Sequence, residues 1–367
     1  MSRKTRDAYK LLRTAEQLQE QGKFAEAEQY YRQAGQLLPR SDIEHRLAAH
    51  LGRAHCFRLL GQFGKALQHY RWAARLATRL EDAEAATDVL TGQAMCYRAL
   101  GDLPRALRLF DRLLEQYFQD GDAEGYAYTL WASAGALRFF GDLAGAYHRF
   151  ETAHQLFREQ RNAEGIAYTL CGLGGVSRLR GMLDESFAFY SEANQRMRRR
   201  KDQFGTAYSY CGIGNVHRMR KDFSKALRYF AKAGELYTAL NDRVSYAYTL
   251  WAEATIYKIQ QQWERYRRTL ARATAFFRAT QDPRGKVYSA LTRAEVALIK
   301  QQPRQFERYW SKASKLAQHH QYRYELQHAR LLRALQTDAP IEPILQKYAE
   351  LGVVRIPWEP ELPLNLP

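Results

Sequence analysis

Ala127-Tyr128-Thr129-Leu130-Trp131 returns as Ala167-Tyr168-Thr169-Leu170-Cys171, as Ala207-Tyr208-Ser209-Tyr210-Cys211 and as Ala247-Tyr248-Thr249-Leu250-Trp251, each forty positions after the last. A fixed period of that size marks a stack of one repeated supersecondary unit. A turn follows in every copy: Gly61-Gln62, Gly101-Asp102, Gly141-Asp142 and Gly181-Met182, with Lys221-Asp222 and Gln261-Gln262 in the same place. An aromatic or leucine comes next (Phe63, Leu103, Leu143, Leu183, Phe223, Trp263), then a small residue (Ala66, Ala106, Ala146, Ser186, Ala226). Four residues on stands Tyr70, Phe110, Phe150, Tyr190 or Phe230, and most copies close with alanine, as at Ala73, Ala153, Ala193 and Ala233.

Spacings of three and four mark amphipathic helices, and strand-type alternation is absent. A glycine in left-handed geometry ends the first helix of each pair, and small residues let the second approach closely. The expected fold is all-α, a solenoid of helical hairpins. The pattern resembles the tetratricopeptide repeat. The match lies in the small residue early in the first helix (Gly174, Gly214), the aromatic near its end (Phe57, Tyr97), the Gly-Asp or Gly-Gln turn, and the Ala, aromatic and Ala of the second helix. It covers roughly residues 17–313 and implies a right-handed α-solenoid. The forty-residue unit looks like the extended-helix subclass found in LGN/Pins-type adaptors and bacterial peptide-sensing regulators. About eight repeats are expected over residues 1–338, beginning around Gly22-Lys23-Phe24. The last two, near Trp263 and Pro303, are degenerate, as terminal caps tend to be. A helix near residues 321–336 closes the solenoid. A capping helix at 339–352 and an extended, proline-rich tail at 353–367 follow.

Six cations share one phase of the repeat: Arg58, Arg98, Arg138, Arg178, Arg218 and Lys258. Within one first helix, Leu130, Ala134 and Leu137 form the stripe that packs on its partner helix. Tyr128, Trp131, Gly135 and Arg138 form a second stripe on nearly the opposite side. The resemblance places that stripe on a concave groove. Across repeats it reads Tyr128, Tyr168, Tyr208, Tyr248 and Tyr288, then Trp131, Cys171, Cys211 and Trp251, then Gly135, Gly175, Asn215 and Thr255, then the cations. Tyrosine offers a flat apolar face with a hydroxyl, and arginine pairs carboxylate or phosphate with two parallel bonds. Bland readings stand beside this one. A cation in the last turn is favoured by the helix dipole, the tyrosines would also pack between neighbouring helices, and Gly172, Gly175, Gly212 and Gly214 suit close helix packing as well as ligand access. The run Arg196-Met197-Arg198-Arg199-Arg200-Lys201 reads as a solvated helix end or a phosphate site.

Fifty-six Lys and Arg against 39 Asp and Glu give a formal charge of +17, so an acidic partner is the leading inference. No apolar stretch reaches transmembrane length, and the N-terminal residues lack an apolar signal core, so a cytoplasmic protein is expected. Cys56 and Cys96 occupy equivalent sites on successive repeats, as do Cys171 and Cys211. Their backbones should stand about 9–10 Å apart, beyond the roughly 7 Å a disulfide allows. No zinc spacing, carboxylate dyad or nucleophile elbow is legible, so neither catalysis nor a cofactor is expected. The leading functional reading is a non-enzymatic adaptor holding an extended, acidic segment of another protein. The alternative is single-stranded RNA stacked on the same aromatic and basic surface. The tail, with Trp358, Glu359 and Glu361, could plug its own groove or a neighbouring copy's, allowing self-association. Packing on the last helices is the simplest expectation for it.

Overall fold

The computed structural model describes residues 2–356 and 359–366. The described residues are helical apart from turns and the segment after residue 351. They fall into two compact units, the first ending at Asp120 and the second beginning at Gly121. The first holds α1 (Arg3–Glu20), α2 (Phe24–Leu37), α3 (Ile43–Leu59), α4 (Phe63–Leu80), α5 (Ala83–Leu100) and α6 (Leu103–Gln119). The second holds α7 (Ala123–Phe140), α8 (Leu143–Glu159), α9 (Ala163–Leu179), α10 (Leu183–Arg199), α11 (Gln203–Met219) and α12 (Phe223–Ala239). It continues through α13 (Arg243–Ile259), α14 (Trp263–Ala279), α15 (Pro283–Ile299), α16 (Pro303–His319), α17 (Arg323–Thr337) and α18 (Glu342–Glu350). Within each unit consecutive helices pack as antiparallel neighbours, in the hairpins the repeat implies.

The turns obey a finer rule than the forty-residue period. Every twentieth residue from Gly61 to Gln321 has a positive φ, so from α3 to α16 both helices of each hairpin end this way. Five of these positions are glycine; the others include Glu81, Arg161, Lys201, Asn241 and Gln281, with φ near 55°. The next residue's amide reaches back five positions, as in Asn162 N–H to Phe157 O at 2.9 Å and Asp222 N–H to His217 O at 2.9 Å. These are Schellman closures, and they satisfy carbonyls the helix leaves open. That same residue is then the N-cap of the following helix: the side chains of Asp122, Asp142, Asn162, Asp202 and Asp282 each accept the backbone N–H three residues on. One residue therefore finishes one helix and starts the next, which fixes a three-residue turn.

The core is a file of rings against glycine or alanine. Tyr31 lies over Gly52, Tyr70 over Gly92, Phe150 over Gly172 and Tyr190 over Gly212; a Cβ at any of these glycines would overlap the ring. Close packing between one hairpin and the next is thus what Gly172 and Gly212 provide. Gly214 serves Phe230 in the same way. All four cysteines are free, as the forty-residue spacing required.

Within the second unit the chain curls until its far helix meets its first. Arg323 of α17 stacks on Phe140 of α7 at 4.0 Å, and Leu143 N–H bonds Leu351 O at 3.0 Å. Gly141 (φ 93°) and Gly352 (φ 91°) sit where those backbones touch, against Arg323 and Ala144. A side chain at either would collide as well as strain the backbone. The inner face of α7, α9, α11, α13 and α15 consequently looks onto a partly closed space rather than an open trough.

Candidate ligand-binding site

The first helices of the second unit's hairpins turn Arg138, Arg178, Tyr208, Asn215, Tyr248, Trp251 and Tyr288 into one cavity of about 260 Å³. Tyr190, Tyr237 and Arg284 complete its wall. Tyr128, Trp131 and Tyr168 line a different cavity, of about 530 Å³, with Phe157, Asn162 and Phe204. Arg58 and Arg98 belong to the first unit, where Arg58 is half-buried beside the Tyr70 hydroxyl. Of the six cations, Arg138 and Arg178 line the first of these cavities, whereas Arg218 and Lys258 are buried and line neither.

The tyrosine column divides its labour. The Tyr168 hydroxyl donates to Asp202 at 2.9 Å and that of Tyr248 to Asp282 at 3.1 Å, so each braces the N-cap of the next first helix. Tyr248 also meets Phe277 of α14, ring to ring at 4.9 Å, the packing role weighed for this column. Tyr208 turns instead toward the Arg138 guanidinium. Trp251 stacks on Tyr288 at 4.5 Å and donates its indole N–H to Thr292 at 2.9 Å, which fixes the cavity's flat wall. Burial pushes the hydroxyls of Tyr190, Tyr237, Tyr248 and Tyr288 up, so they are neutral.

The four cations of this unit are held differently. Lys258 is 3% exposed and spends all three of its donors: two on Glu295 at 2.6 and 2.7 Å, one on the Leu364 carbonyl at 2.8 Å. Arg218 is fully buried and bonds Asn215, Asn365 and the Leu366 carbonyl, none of them charged. Burial, with the positive charge of Arg178 beside it, presses the Arg218 guanidinium down to about 9; it stays charged at neutral pH. Asn215 also donates to Cys211 O at 3.0 Å, so it buttresses Arg218. Arg138 and Arg178 have no carboxylate partner among the described residues, and the Nε of each is buried without a hydrogen bond. Gly175 leaves the space that the Arg138 guanidinium fills. The third cation of the cavity, Arg284, is paired with Glu325 at 2.7 Å. Three guanidiniums therefore share one cavity, and two of them, Arg138 and Arg178, have no carboxylate against them, an arrangement that costs energy unless an anion arrives.

Three residues of this site were not anticipated. Glu295 falls forty residues after Thr255, the next step of the column Gly135, Gly175, Asn215 and Thr255, so the period could have found it. Arg284 and the tail residue Asn365 occupy no phase that the repeat marks. The tail does not merely pack on the last helices: residues 364–366 lie against α11, α13 and α15, because Arg218, Lys258 and Glu295 bond its backbone. Trp358 lies outside the described residues, while Glu359 meets Lys221 at 2.8 Å on the surface. The basic run 196–201 is exposed for the most part, with Arg196 paired to Glu192 and Arg200 to Glu164. No three His, Cys, Asp or Glu side chains among the described residues are grouped to hold a metal. No described helix is long and apolar enough to cross a membrane.

Comparison with known proteins agrees with this architecture. Tetratricopeptide-repeat family models match residues 165–239 and 88–117. No curated relative matches the chain in sequence. Among solved structures, a Rap protein complexed with competence and sporulation factor superposes with a TM-score of 0.64 at 12% identity, over 95% of this chain and 99% of that one. NprR in complex with its cognate peptide NprX gives 0.64 at 15% identity, over 85% of each chain. The Rap conjugation gene regulator of plasmid pLS20, in complex with the Phr* peptide, gives 0.63 at 13%, over 85% of this chain and 96% of that one. The chain thus carries tetratricopeptide repeats in the matched stretches, and its fold resembles that of the Rap and NprR proteins.

Proposed function

We propose that this chain is a non-enzymatic binding protein whose ligand is a peptide segment with an acidic group that docks on Arg138 and Arg178. The observation that carries the reading is the half-buried pair Arg138 and Arg178, whose Nε atoms are buried without a hydrogen-bond partner, in a cavity walled by tyrosines. A buried donor without an acceptor is expensive, and a carboxylate satisfies two guanidinium donors at once. The tyrosine and tryptophan faces would take the ligand's apolar parts. Two proteins of similar fold bind peptides in their solved complexes, which supports the same class of ligand. The enclosure formed where α17 meets α7 favours a short acidic segment over a long polymer such as RNA, whose backbone needs an open track.

The test is fluorescence anisotropy with labelled acidic pentapeptides of randomised flanks, a glutamine-centred control set and oligouridine. The wild-type chain is compared with Arg138→Gln/Arg178→Gln. Acidic peptides should bind at least tenfold more tightly than the glutamine set, and the double variant should lose that preference while keeping its helicity. Equal affinity for both sets would refute the acidic docking. Oligouridine binding that falls steeply with salt and vanishes in the variant would establish nucleic acid instead.

A further inference from the structure

Residues 364–366 cross the inner ends of α11, α13 and α15 much as a bound peptide would. The Leu364 amide donates to Glu295 at 2.7 Å and its carbonyl accepts from Lys258 at 2.8 Å. The Leu366 carbonyl accepts from Arg218 at 2.9 Å. Between them Asn365 exchanges two kinds of bond with α11: its Oδ1 accepts from Arg218 Nη1 at 2.6 Å, and its Nδ2 donates to Arg218 O at 2.9 Å and Met219 O at 3.4 Å. Those carbonyls lie in the last turn of α11, where that of Arg218 also accepts from the Lys221 amide at 2.9 Å, and a side chain with both donor and acceptor serves both sides of Arg218. Leu364 and Leu366 are 1% and 5% exposed. The site reads three consecutive residues: aliphatic, asparagine, aliphatic.

Before this anchor, Val354, Arg355 and Glu359 are exposed. Val354 and Arg355 bond the Arg180 carbonyl at 2.9 and 3.1 Å, but the Val354 side chain is largely exposed. Glu359 meets Lys221 in a surface pair, and such exposed pairs contribute little. Unseating residues 364–366 would therefore break the buried bonds that hold the end of the tail. It would also strand Arg218 and Lys258 in a buried site, so exchange for another peptide is favoured over simple opening.

We propose that Arg218, Lys258 and Glu295 form a peptide site specific for an asparagine flanked by aliphatic residues, and that residues 364–366 are its internal, displaceable ligand. The proposal goes beyond the docking of an acidic group on Arg138 and Arg178, because it uses other residues and another probe. A tether of this kind presents its ligand at an effective concentration of roughly a millimolar. An external peptide that binds the open site at about 10–100 µM would then bind the intact chain about 10- to 100-fold more weakly.

The probe is a labelled, C-terminally amidated peptide of residues 359–366, with an Asn365→Ala version as control. It is titrated into the full chain and into the full chain carrying Asn365→Ala/Leu366→Ala. The variant should bind the probe at least tenfold more tightly than wild type, and adding Arg218→Gln to it should abolish binding. The control peptide should bind neither. A measurement on the unaltered chain guards against a misfolded variant: excess unlabelled probe should accelerate hydrogen exchange at the Leu364 amide severalfold. Equal probe affinity in wild type and variant would overturn the proposal. So would a folded variant that fails to bind, or Leu364 exchange indifferent to the probe. Failure of acidic peptides at Arg138 and Arg178 would leave these outcomes unchanged.

Discussion

Replacing Glu295 with glutamine should destabilise the second unit more than any surface substitution. The carboxylate is 1% exposed and takes two bonds from the Lys258 ammonium, at 2.7 and 2.6 Å, and one from the Leu364 amide at 2.7 Å. Glutamine has the same shape but no charge, and its NH₂ points a donor at an ammonium that is already donating. Lys258, 3% exposed, then becomes an unpaired buried charge. Breaking such a pair from one side costs about 3–5 kcal/mol. One amide oxygen still accepts from the lysine, so about 3 kcal/mol is the expected loss. Burial already lowers the Lys258 ammonium below its usual range despite the opposing pull of Glu295, so the site has little reserve. With a denaturant slope of about 3 kcal/mol/M, the urea midpoint of the second unit should fall by about 1 M. The companion variant Lys258→Met/Glu295→Gln removes the stranded charge and should recover most of the loss, since apolar replacement of a buried pair is often near neutral. A single-variant loss below about 1 kcal/mol, or a double variant no better than the single, would refute the claim that the pair is held by charge rather than by shape.

Two further outcomes are expected. Gly172→Ala and Gly212→Ala each put a methyl group into a ring, Phe150 and Tyr190 respectively, and should lower stability by about 1–3 kcal/mol in thermal melts, although alanine is the better helix former. In the first unit, His50 and His69 share a 3.0 Å Nδ1–Nδ1 bond, and burial pushes each down to about 4. Their folded values lie below the unfolded value near 6.5, so the stability they contribute is present above pH 6.5 and is lost as the pH falls toward 4. Hydrogen exchange of α3 and α4 should accelerate across that window, and His69→Gln should flatten the dependence.

The fold was legible because the repeat phases agree with one another: alanine, aromatic and turn residues all return after forty positions. The half-period of twenty was hidden by residues such as Arg161, Lys201 and Gln261, which hold a left-handed conformation at about 1 kcal/mol or more each without being glycine. The phase also carried Arg138, Arg178, Arg218 and Lys258 to the inside of the second unit. It could not say what each would meet. Partners come from distant phases, as with Glu325 for Arg284 and Asn365 for Arg218, and a column cannot encode a contact that exists at only one rung. Periodicity likewise describes an endless trough. It gives no warning that Gly141 and Gly352 let one stretch of the trough close upon itself.

The shared cap residues make the chain intolerant of small changes in length. A residue that ends one helix while starting the next leaves no loop to absorb an insertion. A single added amino acid within α9 or α10 would rotate everything up to the next junction by about 100° and carry its tyrosines off the inner face. Lineages of such a protein should therefore diverge freely in side chains while their gaps in alignment fall in multiples of twenty or forty. Isolated one- or two-residue gaps should gather after residue 337, where the ruled spacing stops.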